Sequence, residues 1–174
     1  GNKVITTGGG GAIICNSKKL GIKIRHLVST AKLNHPWDFL HNEIGWNYKM
    51  NNLSSAVGLA QIEKFNKIKR YKKKLKERYK QNSKKFENFI FFDEPKNCNS
   101  NNWLNTIKVK RISLRERNKI LDLLNKNDIN CRPVWKLMHK LKMYKNSPKS
   151  NLSNAMKLEK MIICLPSSAE YGKS

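Results

Sequence analysis

The sequence is short of acidic residues: 12 Asp and Glu stand against 36 Lys and Arg in 174 residues, a formal net charge of +24. It also lacks long apolar runs. The longest, residues 12–15 and 161–165, are strand-length, whereas a helix crossing a bilayer needs roughly 20 apolar residues. No membrane partner is expected. Gly1-Asn2-Lys3 leads into glycines rather than into an apolar signal-peptide core, so no secretory leader is expected. Cysteines are few and scattered: Cys15, Cys98, Cys131 and Cys164, with no Cys-x-x-Cys. That spacing offers neither a zinc knuckle nor a dithiol redox pair, and no metal site is expected. The cysteines read as small hydrophobes in a reducing, cytoplasmic compartment. What is present, 39% apolar residues including 9% aromatic, suffices for one folded domain or a piece of a larger one.

The positive charge invites a polyanion partner. It is densest over residues 64–85, and a nucleic-acid-binding protein using that helix stands as the alternative function. Lysine, asparagine and isoleucine are abundant together, however, and lysine occupies polar positions throughout. A general compositional drift explains this better than a dedicated patch, and no nucleic-acid partner is expected.

Along the chain, Val4–Thr7 and Ala12–Cys15 are short β-favouring runs separated by Gly8–Gly11, predicting two strands around a tight connection. Asn16-Ser17 then caps a helix with Leu20, Ile24, Leu27 and Val28 on its apolar side. Residues 29–44 hold Pro36, Trp37, Phe39 and two histidines without a period, predicting a long ordered loop. A single helix of about 28 residues is predicted from Asn52 to Gln81, its lysines solvated, which is long for a globular protein. Beyond Phe86 the pattern runs β (89–92), β (103–109), α (114–126), β (129–134), α (152–160), β (161–165), a small α+β domain.

Three groups of residues carry chemistry. Lys3 precedes a strand-like run and four glycines, where backbone and ligand can approach closely; a Schiff-base lysine needs such a rigid, dry position. Residues 44–52 crowd polar groups at a helix N-terminus, an anion-favouring place, although ordinary capping by Asn51 or Asn52 explains them equally. Arg132, Trp135 and His139 put a guanidinium, an indole and an imidazole within eight residues, suited to a diphosphate and a flat base or to a packed loop. Gly8–Gly11 lacks the order and following helix of a dinucleotide or phosphate-binding loop.

Residues 1–11 resemble the lysine motif of the DegT/DnrJ/EryC1/StrS family of pyridoxal 5'-phosphate (PLP)-dependent nucleotide-sugar aminotransferases. Residues 44–53, with Ala56, Gly58-Leu59-Ala60-Gln61 and Glu63, resemble its second block, with Trp46 where Tyr is usual and Lys49 where Arg is usual. Thr30-Ala31-Lys32, His35-Pro36-Trp37 and the stretch 132–144 resemble the branch that aminates 4-keto-6-deoxy-N-acetylhexosamine nucleotides of legionaminic acid and bacillosamine-type pathways. The resemblance covers essentially the whole chain. It implies an α/β fold, the fold type I of PLP-dependent aminotransferases. The chain would be a C-terminal fragment: the end of the large PLP-binding domain (residues 1–63), a bridging helix (64–85) and a small C-terminal α+β domain (86–174). A fragment alone is expected to bind PLP poorly.

By the same resemblance Lys3 is the catalytic lysine that attaches PLP, and Asn47 reaches the PLP phosphate of a neighbouring subunit, so a homodimer shares its active sites. Arg132, Trp135 and His139 would bind the nucleotide sugar. Glutamate would donate the amino group to the C4 ketone in a ping-pong cycle serving cell-surface glycan biosynthesis. A dehydratase branch of the family carries histidine at the lysine position, and Lys3 argues against it.

Overall fold

The computed structural model describes residues 3–173, which form two compact units dividing after Phe65. In the first unit, helices α1 (Lys18–Val28) and α2 (Asn52–Glu63) start where the sequence placed them. The Ser17 hydroxyl accepts from the Leu20 N–H, and the Asn51 carboxamide accepts from the Ser54 N–H at 2.8 Å. Each satisfies a first-turn donor that the helix cannot pair internally.

The loop between these helices is ordered by backbone hydrogen bonding. Isolated bridges join Ser29 to Asn47 and Lys32 to His41. The Trp46 N–H donates to Leu27 C=O at 2.7 Å, and the Tyr48 N–H to Val28 C=O at 2.9 Å. Ala31 is fully buried, with φ at 51°. Gly45 lies so close to it that an added Cβ would stand 2.4 Å from the Ala31 nitrogen. Only a residue without a side chain fits that approach.

The two strands predicted for residues 4–7 and 12–15 are not formed; among the described residues neither segment has a ladder partner. Their β-branched composition suits a pleated surface, but a strand exists only through a neighbour's hydrogen bonds. Ile14 is left 92% exposed. The glycine run turns instead, with Gly8 at φ +84° and Gly10 at φ +136°, and the Thr6 hydroxyl accepts from the Gly8 N–H.

The single long helix is also corrected. The helix is interrupted at Lys64, and α3 begins afresh as Phe65–Ser83. Nothing in its composition, free of Gly and Pro at the break, signals the interruption.

In the second unit α3 is followed by β1 (Phe89–Phe91), β2 (Asn105–Val109), α4 (Leu114–Lys126), β3 (Arg132–Pro133), α5 (Ser153–Met161) and β4 (Ile162–Leu165). The predicted order of elements holds, although the third strand shrinks to two residues. The antiparallel sheet runs β1-β2-β4-β3, with Thr106 opposite Cys164 and Arg132 opposite that same cysteine on the other side. Val109, Leu121, Cys131 and Ile163 form its buried core, flanked by Phe89, Ile107, Ile120 and Leu124. The apolar side of α4 thus covers the sheet, and a capping box of Ser113 and Glu116 fixes where that helix starts. Ile163, 1% exposed at the sheet centre, is the largest fully buried side chain among the described residues; truncating such a side chain to alanine costs about 2–5 kcal/mol. Cys131 and Cys164 are buried as expected, whereas Cys98 is exposed.

The expectation that the α3 lysines are solvated fails at two positions. Lys72 and Lys76 are both buried, at 5% exposure. Lys72 Nζ donates to the carbonyls of Trp103 and Ser167. Lys76 Nζ pairs with Asp93 at 2.7 Å and Glu94 at 3.0 Å. Their long stems cross apolar surface and their ammonium ends find oxygen, which a pattern of lysines along a helix does not reveal.

Candidate active site

Lys3 lies exposed on a bend immediately ahead of the glycine turn. That turn packs closely on the entry to α2. A Cβ at Gly10 would meet Met50 Cε at 3.1 Å, and one at Gly58 would meet Thr7 Cγ2 at 3.0 Å. Gly8, Gly9 and Gly11 have no neighbour within 4 Å of such a position, and at Gly8 and Gly10 the positive φ is what favours glycine. Asn47 sits at the bridge to Ser29, exposed, and among the described residues its carboxamide has no hydrogen-bond partner. Asn51, four residues on, is used by its own helix as the cap.

These residues fit PLP by their chemistry. A primary amine can condense with an aldehyde, and a side-chain amide left unpaired can donate to a phosphate. Lys3 and Asn47 belong to the same compact unit, which the glycine turn and the entry to α2 tie together.

Arg132, Trp135 and His139 fall together in the second unit. Arg132 is exposed on the short strand β3. Trp135, two residues past that strand, is 67% exposed, and its ring lies 5.9 Å from that of Trp103 at an interplanar angle of 34°. His139 sits in a 3-10 turn, Met138–Lys140, and lines a cleft with Leu137, Tyr144, Pro148 and Leu152.

Glu159 on α5 holds this turn in place, accepting from the Leu137 N–H and from Lys140. Burial pushes its carboxyl up, but the hydrogen bonds from Lys140 and Leu137 outweigh that and hold it below the usual range. The Glu159 carbonyl accepts from buried Arg117 at 2.7 Å, which ties α5 to α4. The His139 turn is therefore anchored to the sheet-covering helices rather than carried on a free loop.

Two members of this neighbourhood escaped the sequence. Trp103 read only as part of a strand, although it precedes β2, and Lys72 read as one lysine in a solvated run. Among the described residues no cluster of His, Cys, Asp and Glu could hold a metal, and no helix is long and apolar enough to cross a membrane.

The small antiparallel sheet covered by helices and the helical unit that precedes it have a counterpart among solved structures. The solved structure of Helicobacter pylori PseC, an aminotransferase involved in the biosynthesis of pseudoaminic acid, has this fold. It superposes with a TM-score of 0.85 at 24% identity, over 98% of this chain and 47% of its own. Residues 1–173 match the DegT/DnrJ/EryC1/StrS aminotransferase family, and the chain belongs to it.

Among the relatives, EpsN of Bacillus subtilis (strain 168), which carries the name of a pyridoxal phosphate-dependent aminotransferase, is 32% identical over 96% of this chain and 43% of its own length. GDP-perosamine synthase of Escherichia coli O157:H7 is 33% identical over 83% of this chain and 38% of its own. The chain thus spans less than half the length of the curated relatives it matches. The family is one of PLP-dependent sugar aminotransferases, fold type I.

Proposed function

We propose that this chain is the C-terminal part of an enzyme that moves an amino group from glutamate to the C4 ketone of a nucleotide-linked 4-keto-6-deoxy-N-acetylhexosamine, for cell-surface glycan biosynthesis. The observation that carries the reading is the family match over residues 1–173, which takes in Lys3, Asn47 and the stretch from Arg132 to His139. The names of the relatives support a nucleotide-sugar substrate. One acts with a GDP-linked sugar, so both UDP and GDP sugars belong in any assay.

Lys3 Nζ would attach PLP, and Asn47 would hold its phosphate from the neighbouring subunit of a homodimer. When bound, PLP supplies the electron sink that makes the donor's α-carbon acidic. Lys3 Nζ would move a proton at the donor's α-carbon in one half-reaction, as general base, and at the sugar C4 in the other, as general acid. Arg132 would neutralise the diphosphate, Trp135 would present a flat face, and His139 would meet the sugar from its anchored turn.

The test is isotopic. The complete polypeptide, given 15N-glutamate and UDP- or GDP-linked 4-keto sugar, should place 15N on the sugar carbon, and Lys3→Ala should abolish that transfer. Undiminished transfer by Lys3→Ala would refute the role of this lysine.

A further inference from the structure

The second unit holds a buried cation that no catalytic role assigned above uses. Lys72 on α3 is 5% exposed, and its two hydrogen-bond partners are both carbonyls, of Trp103 at 3.3 Å and of Ser167. Burial pushes its pKa down. A buried ammonium held by neutral acceptors is costly. Its effect here is to fix two segments at once.

Ser167 in turn receives the Asn105 N–H on its hydroxyl at 2.8 Å, and donates that hydroxyl to Leu165 C=O at 2.8 Å. Tyr79, two turns along α3, donates to Pro166 C=O at 2.9 Å. The lead-in to β2 and the exit from β4 are thereby held against one helix, and Trp103 lies in that lead-in. Its half-buried ring lies against the more exposed ring of Trp135. The two ring centroids stand 5.9 Å apart at 34°, and Trp135, the exposed one, lies three residues beyond Arg132 in sequence.

We propose that Trp103 joins Trp135 in a two-ring platform that takes the planar base of a nucleoside diphosphate, with Lys72 as the positioning residue that holds Trp103 in place. The inference rests on the nucleotide-sugar reading above and adds to it the part of the substrate that this unit recognises. Loss of base stacking by truncation of the aromatic ring to alanine weakens binding about five- to a hundred-fold. A platform of this kind reads the base's flat face and is tolerant of its identity.

This chain has four tryptophans, Trp37, Trp46, Trp103 and Trp135, so indole N–H resonances of the 15N-labelled complete polypeptide, with these four assigned by single Trp→Phe variants, resolve the question. Titration with UDP, and separately with GDP, should shift the signals of Trp103 and Trp135 and leave those of Trp37 and Trp46 in place. Trp103→Ala should weaken nucleotide binding about ten-fold. Trp103→Phe, which keeps a ring, should retain most of it. Lys72→Met should move the Trp135 and Trp103 signals in the free protein and weaken UDP binding, and Lys72→Arg should restore both.

Shifts confined to Trp135, an affinity in Trp103→Ala within two-fold of the wild type at unchanged circular dichroism, or no response to either nucleotide would each overturn the platform. Failure of the aminotransferase reading shows elsewhere, in whether PLP can be fixed to Lys3, and does not depend on these signals.

Discussion

Lys72, Lys73 and Lys74 are three identical residues in sequence with different fates in the structure. Lys72 is enclosed by carbonyl oxygens, while its two neighbours face water. Lys72→Glu would set a carboxylate against two acceptors with no donor between them, and urea unfolding should register a loss of about 3 kcal/mol or more. Lys73→Glu and Lys74→Glu should each stay within about 0.5 kcal/mol. Equal losses at all three would contradict the burial of Lys72.

One turn further along, Lys76 governs an acid-sensitive cluster. Its hydrogen bond, followed by that of Lys80, holds the Asp93 carboxyl well below the usual carboxylate range. Glu94 is held down first by the Ser100 N–H and then by Lys76. Carboxyls depressed in the folded state contribute stability above their unfolded value of about 4 and lose it as pH falls through the folded values. Melting temperature should therefore fall on acidification below about pH 4. Lys76→Met should flatten that fall and cost about 1–2 kcal/mol at neutral pH. An unchanged acid limb would remove the cluster from the stability of the fold.

At the scale of elements, most of the second unit was legible in the sequence and much of the first was not. The period of Ile120, Leu121, Leu123 and Leu124 and the Ser113–Glu116 box delimit α4 to the residue, because that helix is specified by its own face and its own cap. Caps located α1 and α2 for the same reason. Residues 4–7 and 12–15 misled because β-branched composition describes a surface suited to pairing without supplying the partner. The break at Lys64 misled because it is a local departure in the backbone with no Gly or Pro to mark it.

Gly45 was read only as a letter of a motif, yet its backbone touches Ala31 and Thr30 more closely than any side chain allows. Gly45→Ala must push residues 30–31 away from the strand-like stretch that bears Asn47. Chemical denaturation should show a loss of about 1–3 kcal/mol, with the amide signals of Ala31 and Asn47 displaced. Wild-type stability and spectra in that variant would mean the loop gives way freely.

For the molecule as a whole, the net charge of +24 was the most conspicuous quantity and the least informative. Part of it is absorbed in specific work, as in the buried Lys72 and the Lys76–Asp93–Glu94 cluster. Ordered motif blocks carried the functional reading instead, through their resemblance to a family over residues 1–173, which composition alone does not provide. Candidate roles for Arg132, Trp135 and His139 were legible as residue types. The anchoring of the His139 turn through Glu159, and the pairing of Trp135 with Trp103, needed the tertiary structure.

If active sites are shared between subunits, mixing inactive Lys3→Ala and inactive Asn47→Ala complete polypeptides should restore activity, since each mixed dimer regains one intact site. Mixed dimers without activity would place Asn47 in its own subunit's chemistry or outside the site.

The most direct measurement is on Lys3 itself. The complete polypeptide, incubated with PLP, reduced with borohydride and digested, should yield one major labelled peptide, with the pyridoxyl group on Lys3 and an absorbing band that vanishes on reduction. A label carried by any of the other lysines, with Lys3 unmodified, would contradict the assignment of this chain as the lysine-bearing part of the enzyme.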